Sequence, residues 1–357
     1  MLRGKFVIQA SDYRDHRSLA LAKTNLWENN GWMVWDRIDG EDILLWVSPY
    51  RLIGHGPNSV YALSDVALSQ TLLIRGRYDG ASRSQMHDNA FLCVGYDLGD
   101  HLDGDELRIS LGDDAATWRV GSRTFTSAPP EWTIRGDHAG LNVDLRISAM
   151  GPPFWFTNPA DETEISQERW FLACARVQGQ LTHLGDTLSI NGYGSHERHI
   201  HCGPRYDPVK TLSARGITWH SGSANDLQII MLSRPSRGIA WCRIVTEREL
   251  VDFSAPAHSC EIIETDFWID PQSRMQIPCA WRSTFIGPSG TLELHARAFA
   301  RAYYLWPHFK HGCTILYWWM ADASIEWKRA NGERLCVHGL QYVVHDNRLL
   351  YRQHVND

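Results

Sequence analysis

The period of its apolar residues restricts how this chain can fold more than any other feature. Short stretches alternate apolar and polar side chains along the whole sequence, as in Glu106 to Leu111, Leu141 to Ile147, Asp226 to Leu232, Ile239 to Val245 and Thr291 to Ala298. Each is bounded by Gly, Pro, Asn or Asp clusters. A period of two sends neighbouring side chains to opposite faces of a strand, whereas a helix needs apolar residues at i, i+3, i+4 and i+7, and no long window has them. The sequence therefore predicts an all-β protein of barrels or strongly bent sandwiches. The only helical expectations are short, at Asp12 to Ala22 and Thr163 to Glu168.

A length of 357 residues suits about two domains, and an internal repeat agrees. Gly185-Asp-Thr-Leu-Ser-Ile-Asn-Gly192 and Gly332-Glu-Arg-Leu-Cys-Val-His-Gly339 share the pattern G-[DE]-x-L-x-[IV]-x-G, with a fainter copy at Gly104. An aromatic, apolar strand precedes each full copy, at 169–176 and 315–322. This reads as a hairpin whose turn glycine supplies a left-handed φ, then a strand whose last glycine permits a bulge or a close backbone approach. The segment 151–159, rich in Pro and aromatic residues, and the acidic stretch Asp161 to Glu168 read as a connection. The expected units are 1–165 and 166–357.

A net charge of −6, without runs of Lys or Arg, supplies no basic stripe for phosphates, so nucleic acid is not an expected partner. No apolar window approaches the ~20 residues of a spanning helix, and the N-terminus has no signal-peptide pattern. The expectation is a cytoplasmic protein, monomeric or homodimeric, without an integral membrane segment. The eight cysteines form no CxxC pair and are expected as thiols. Walker and GxSxG motifs are absent, and Gly192-Tyr-Gly194 lacks the third glycine of a dinucleotide loop.

Sixteen Trp, with 12 Tyr and 11 Phe, are far more ring surface than the chain length calls for. Rings of this size either fill a β core or wall a cavity for an apolar or cationic species. The candidate wall residues are Trp32, Trp35, Trp170, Trp219, Trp318 and Trp319.

Chemistry-bearing residues are densest at 192–206, which reads GYGSHERHIHCGPRY. In an extended conformation Glu197, His199 and His201 point one way, and His196, Arg198, Ile200 and Cys202 the other. A histidine beside a carboxylate suits acid/base work near neutral pH, and arginines stabilise negative charge or orient a carbonyl. The candidate catalytic residues are His196 or His199 with Glu197 for proton transfer, Arg198 and Arg205 for orientation, and Tyr193 as a hydrogen-bond donor. A polar plug at a barrel end is the structural alternative. HERH is not the HExxH of zinc enzymes, because position 200 is Ile. No metal is expected, although Glu197, His199 and His201 form an alternative ligand set.

The aromatic strand, the G-D-x-L-x-I-x-G hairpin and the run Gly192-Tyr-Gly-Ser-His-Glu-Arg-His with Cys202-Gly-Pro-Arg205 resemble the central motif of the lipocalin-like double-barrel proteins. That superfamily takes in carotenoid hydratase, the attachment-protein-like family, fungal lipocalin-like Diels-Alderases and, more distantly, tocopherol cyclase. Its motif commonly runs G-x-G-[YF]-x-[DE]-H-x-W-G. Here the acidic residue precedes Arg198-His199, and Cys202 stands where a tryptophan is usual. The resemblance implies two calycin-like barrels in tandem, a ligand cavity in or between them and no organic cofactor. It further implies hydration, cyclisation or pericyclic closure of an apolar polyene, terpenoid or polyketide in secondary metabolism, or, alternatively, carriage of a lipid-like molecule.

Overall fold

A computed structural model describes residues 8–13, 26–53, 65–76, 91–98, 107–112, 115–138, 140–156, 167–202, 218–225, 227–234, 239–246, 248–271, 274–308 and 312–351. Beyond a 3-10 turn at Ala10–Tyr13, the regular structure among them is strand. The helical expectation at Asp12 to Ala22 meets only the end of that turn, and residues 14–25 lie outside the described residues. Of Thr163 to Glu168, the two described residues, Gln167 and Glu168, open a strand instead.

The first sheet contains β1 (Leu26–Ile38), β2 (Glu41–Ile53), β3 (Asp65–Gly76), β4 (Phe91–Leu98), β5 (Leu107–Leu111), β6 (Ala116–Val120), β7 (Arg123–Ala128), β8 (Glu131–His138), β9 (Leu141–Ala149), β10 (Phe154–Trp155), β11 (Gln167–His183) and β12 (Asp186–Cys202). Its order is β4-β3-β2-β1-β12-β11-β9-β8-β7-β6-β5, with β10 paired to β11. The second contains β13 (Thr218–Ala224), β14 (Leu227–Arg234), β15 (Ile239–Val245), β16 (Leu250–Ser254), β17 (Ser259–Ile269), β18 (Gln276–Gly287), β19 (Gly290–His308), β20 (Gly312–Arg329) and β21 (Arg334–Tyr351). Its order is β16-β15-β14-β13-β21-β20-β19-β18-β17.

Both sheets are antiparallel and curl round an apolar interior, so the fold is two tandem bent β-barrels. Curling is visible in the second sheet, where His220 of β13 comes within 5.7 Å of Trp281 of β18, ring to ring, although three strands separate them in the sheet order. Strand β9 shows why the pattern of the sequence works: Leu141, Val143, Leu145 and Ile147 are buried in the first interior while the residues between them are exposed. The two repeat copies are the β11–β12 and β20–β21 hairpins. Their turn glycines, Gly185 and Gly332, share φ 88°, which only glycine adopts at no steric cost. Their last glycines differ in use. Gly339 sits at a bulge in β21, and Gly192 lies so close to the Trp35 carbonyl that a side chain there would collide with it.

The expected division at 165/166 does not coincide with the change of sheet. Strands β11 and β12 stand between β9 and β1, so the first sheet continues to Cys202 and the second begins at Thr218. The sheets meet face to face through two buried clusters. Met33, Trp35, Trp46 and Leu72 pack with Phe299, Leu316, Trp318 and Val343, and Trp170, Leu172 and Cys174 pack with Trp219, Ile230 and Trp241. Hydrogen bonds cross the seam from Trp35 Nε1 to Ser223 Oγ (2.8 Å), from Gln228 Nε2 to the Gly194 carbonyl (2.6 Å) and from Gln341 Nε2 to the Asp36 carbonyl. No helix among the described residues is long and apolar enough to cross a membrane, and Cys174, Cys242, Cys260, Cys279 and Cys336 are free thiols.

Candidate functional site

Alternation along β12 divides its polar residues between two environments. His196 and Arg198 face the first interior, while Ser195, Glu197 and His199 face the second sheet. Because one strand residue separates the two sets, no histidine on the inner face touches Glu197.

On the inner face, His196 is paired across strands with Trp32 and stacks on it at 4.6 Å with planes 6° apart. Trp132 and Phe171 close in at 4.8 and 5.2 Å, and Nδ1 hydrogen-bonds the Gly31 carbonyl (3.1 Å). Burial pushes this imidazole down to about 3, against the opposing effect of the Gly31 bond and with the Arg198 charge adding to it. His196 is therefore neutral and held among rings. Arg198 Nη2 donates to Glu28 Oε1 at 2.6 Å in a pair from which water is excluded. Its guanidinium neutralises a buried carboxylate, which is a packing role.

On the outer face, Glu197 lies opposite Gly31 of β1 and Leu172 of β11. It is 5% exposed and lines a narrow cleft between the sheets. Met33, Trp46, Leu172 and Ser195 complete the first-sheet wall; Trp219, Ser221, Ile230, Trp318 and His345 come from the second. Burial pushes the Glu197 carboxyl up to about 8, while hydrogen bonds with Asn29 and Trp170 pull the other way. At neutral pH it holds its proton in an apolar setting, the state a general acid needs.

Facing it, His345 occupies the middle of a row across three strands. Trp219 of β13 and Trp318 of β20 are its direct cross-strand partners, stacked at 4.4 Å and 6° and at 3.9 Å and 13°. Burial holds this imidazole well below its ordinary 6.5. Nε2 is buried with no hydrogen-bond partner among the described residues. Trp46 reaches over from the first sheet to within 4.6 Å of Trp318 and 6.0 Å of His345.

The other residues singled out by the sequence are dispersed. His199 stacks on its cross-strand partner Trp170 (4.9 Å) beside the cleft. Tyr193 is half-buried, with the Arg176 guanidinium over its ring at 4.1 Å. Trp32 belongs to the first interior and Trp319 to the second; Trp35, Trp170, Trp219 and Trp318 lie between the sheets. Arg205 and the side chain of His201 lie outside the described residues. In place of a wide ring-walled hollow, the described residues around Glu197 leave a narrow cleft with room for about one water molecule. The rings pack against one another across the seam. Sequence reasoning missed Trp46 and His345. Alternation in Gln341-Tyr-Val-Val-His345 marks a strand, but nothing in it says which face meets the other sheet.

No family model matches the sequence, and no curated protein matches it. Solved structures do match. A protein assigned as ATTH from Nitrosomonas europaea superposes with a TM-score of 0.58 at 12% identity, over 97% of this chain and 98% of its own. CghA superposes with a TM-score of 0.55 at 12% identity over 92% and 90%, and CghA with Sch210972 with 0.54 at 12% over 90% and 89%. Kievitone hydratase from Nectria haematococca gives a looser superposition, 0.47 at 11% identity over 91% and 89%. Across nearly its whole length, the chain has the lipocalin-like double-barrel fold that its central motif implied.

Proposed function

We propose that the chain is a lyase or isomerase, working without an organic cofactor, that cyclises or hydrates an apolar polyene, terpenoid or polyketide at the cleft between the two sheets. The observation that carries this reading is Glu197, a carboxyl held neutral by burial and aimed at a space walled by Trp46, Trp219 and Trp318. A carboxyl that burial keeps protonated is available as a general acid at neutral pH, where a solvated one is already ionised, and indole faces stabilise the cation that results from protonating an alkene or carbonyl. His199, on the same face two residues along, stacks on Trp170. A protein of this fold, CghA, has been solved with an organic molecule, Sch210972, which supports small-molecule chemistry here. The setting is cytoplasmic secondary metabolism, with the protein as a monomer or homodimer.

The test compares wild-type protein and Glu197→Gln, each expressed in its host and extracted for bound apolar compounds. On this reading the variant retains a compound that the wild type converts. An unchanged product mass marks cyclisation, and the added mass of one water marks hydration. The same unaltered compound bound to both proteins would instead identify a carrier.

A further inference from the structure

The cleft holds a second ionisable group, facing Glu197 from the other sheet. We propose that His345 is the base of this site, taking a proton from the substrate while Glu197 gives one, and that the substrate is an uncharged apolar molecule isomerised by relocation of a proton. This rests on the reading of the cleft given above.

Three features single out His345 among the histidines near the seam. It lines the same cleft as Glu197, which His199 does not, whereas His196 faces the first interior and is bonded to Gly31. Its Nε2 is buried without a partner among the described residues, so no N–H or O–H donor of those residues occupies that nitrogen. Its ring lies between the faces of Trp219 and Trp318. Two indole faces hold the ring in one orientation.

The step balances without a co-reactant. The Glu197 O–H bond breaks as a substrate alkene carbon gains that proton. A C–H bond adjacent to the cationic centre breaks, its proton passes to His345, and its electron pair forms the new double bond. Substrate and product share one composition. The site is left as carboxylate and imidazolium, and proton transfer between them restores the starting pair. Both states carry no net charge, the second being an ion pair within the cleft. A neutral pair of this kind excludes anionic substrates, because a carboxylate or phosphate here would have no cation to meet it.

The experiment uses as substrate the compound retained by Glu197→Gln. His345→Gln is expected to lower kcat by about 10²-fold or more, with KM within about threefold and an unchanged melting temperature. In His345→Ala, which opens a gap between the two indoles, added imidazole is expected to restore turnover by about tenfold or more. His345→Gln turning over at the wild-type rate, or imidazole failing to restore the alanine variant, would overturn the role of His345 alone. Wild-type protein that leaves the retained compound unchanged would overturn the reading of the cleft itself, and the role of His345 with it.

Discussion

The imidazole of His345 and the indole of Trp318 face each other across β20 and β21 at 3.9 Å, with their planes 13° apart. Trp219 covers the other face, so water reaches neither side of the ring, and the protonated form loses its hydration. Replacing Trp318 with Leu uncovers one face. The His345 imidazole is then expected to titrate closer to its ordinary 6.5, as followed by NMR of the ring protons. A titration unchanged by the substitution would show that stacking is not what holds it down.

Arg198 and Glu28 make a buried pair across 170 residues of sequence. Removing one charge takes away the other's buried counter-charge, which costs about 3–5 kcal/mol. Arg198→Met is therefore expected to destabilise the protein by that amount in urea unfolding, and the double variant Arg198→Met/Glu28→Leu to recover most of it. A double variant no more stable than Arg198→Met would contradict a role limited to the pair.

Stability should peak near pH 6.5. Burial pushes His196 and His220 down to about 3 and Glu197 up to about 8. As pH falls from about 6.5 to 3, each unfolded imidazole takes up a proton that the native one refuses, so native stability declines. As pH rises from about 4.5 to 8, the unfolded chain releases the Glu197 proton that the native state keeps, so stability declines again. Each group contributes on the order of 5 kcal/mol at its limit, at 1.36 kcal/mol per pH unit. Glu197→Gln is expected to flatten the alkaline decline in urea midpoints measured between pH 5 and 9, and an alkaline limb as steep as that of wild type would rule this out.

Gly31 has no side chain because Trp46 lies directly over it, and a Cβ there would come within 2.2 Å of Trp46 Cη2. Trp46 is 4% exposed and packed on Trp318, so it has nowhere to retreat. Gly31→Ala is expected to cost about 1–3 kcal/mol by overpacking and to displace Trp46 from the cleft wall, seen as a shift in the near-ultraviolet circular dichroism. An unperturbed spectrum at wild-type stability would show that the seam has slack.

What the sequence made legible was local. Period-two alternation assigned Glu197 and His199 to one face of β12 and His196 and Arg198 to the other, and the turn glycines Gly185 and Gly332 marked two equivalent hairpins. The rest depends on pairings far apart in the chain. His345 meets Trp219 from 126 residues away, and no property of Tyr342-Val-Val-His345 encodes which sheet its outer face will touch. Trp318 and Trp319 are neighbours in sequence yet line different spaces, because a strand separates adjacent side chains. The acidic stretch before Gln167 has the composition of a linker between domains, but β11 and β12 return to the first sheet, where β1 and β9 each need a partner strand.

The most direct measurement is the protonation state of Glu197 itself, read from the carboxyl C=O band in the infrared difference between wild type and Glu197→Gln as pH is raised. A protonated-carboxyl band present at pH 7 and lost near pH 8 is the predicted result. A carboxylate already ionised at pH 7, titrating near the ordinary 4.5, would contradict the idea that this seam holds a neutral acid.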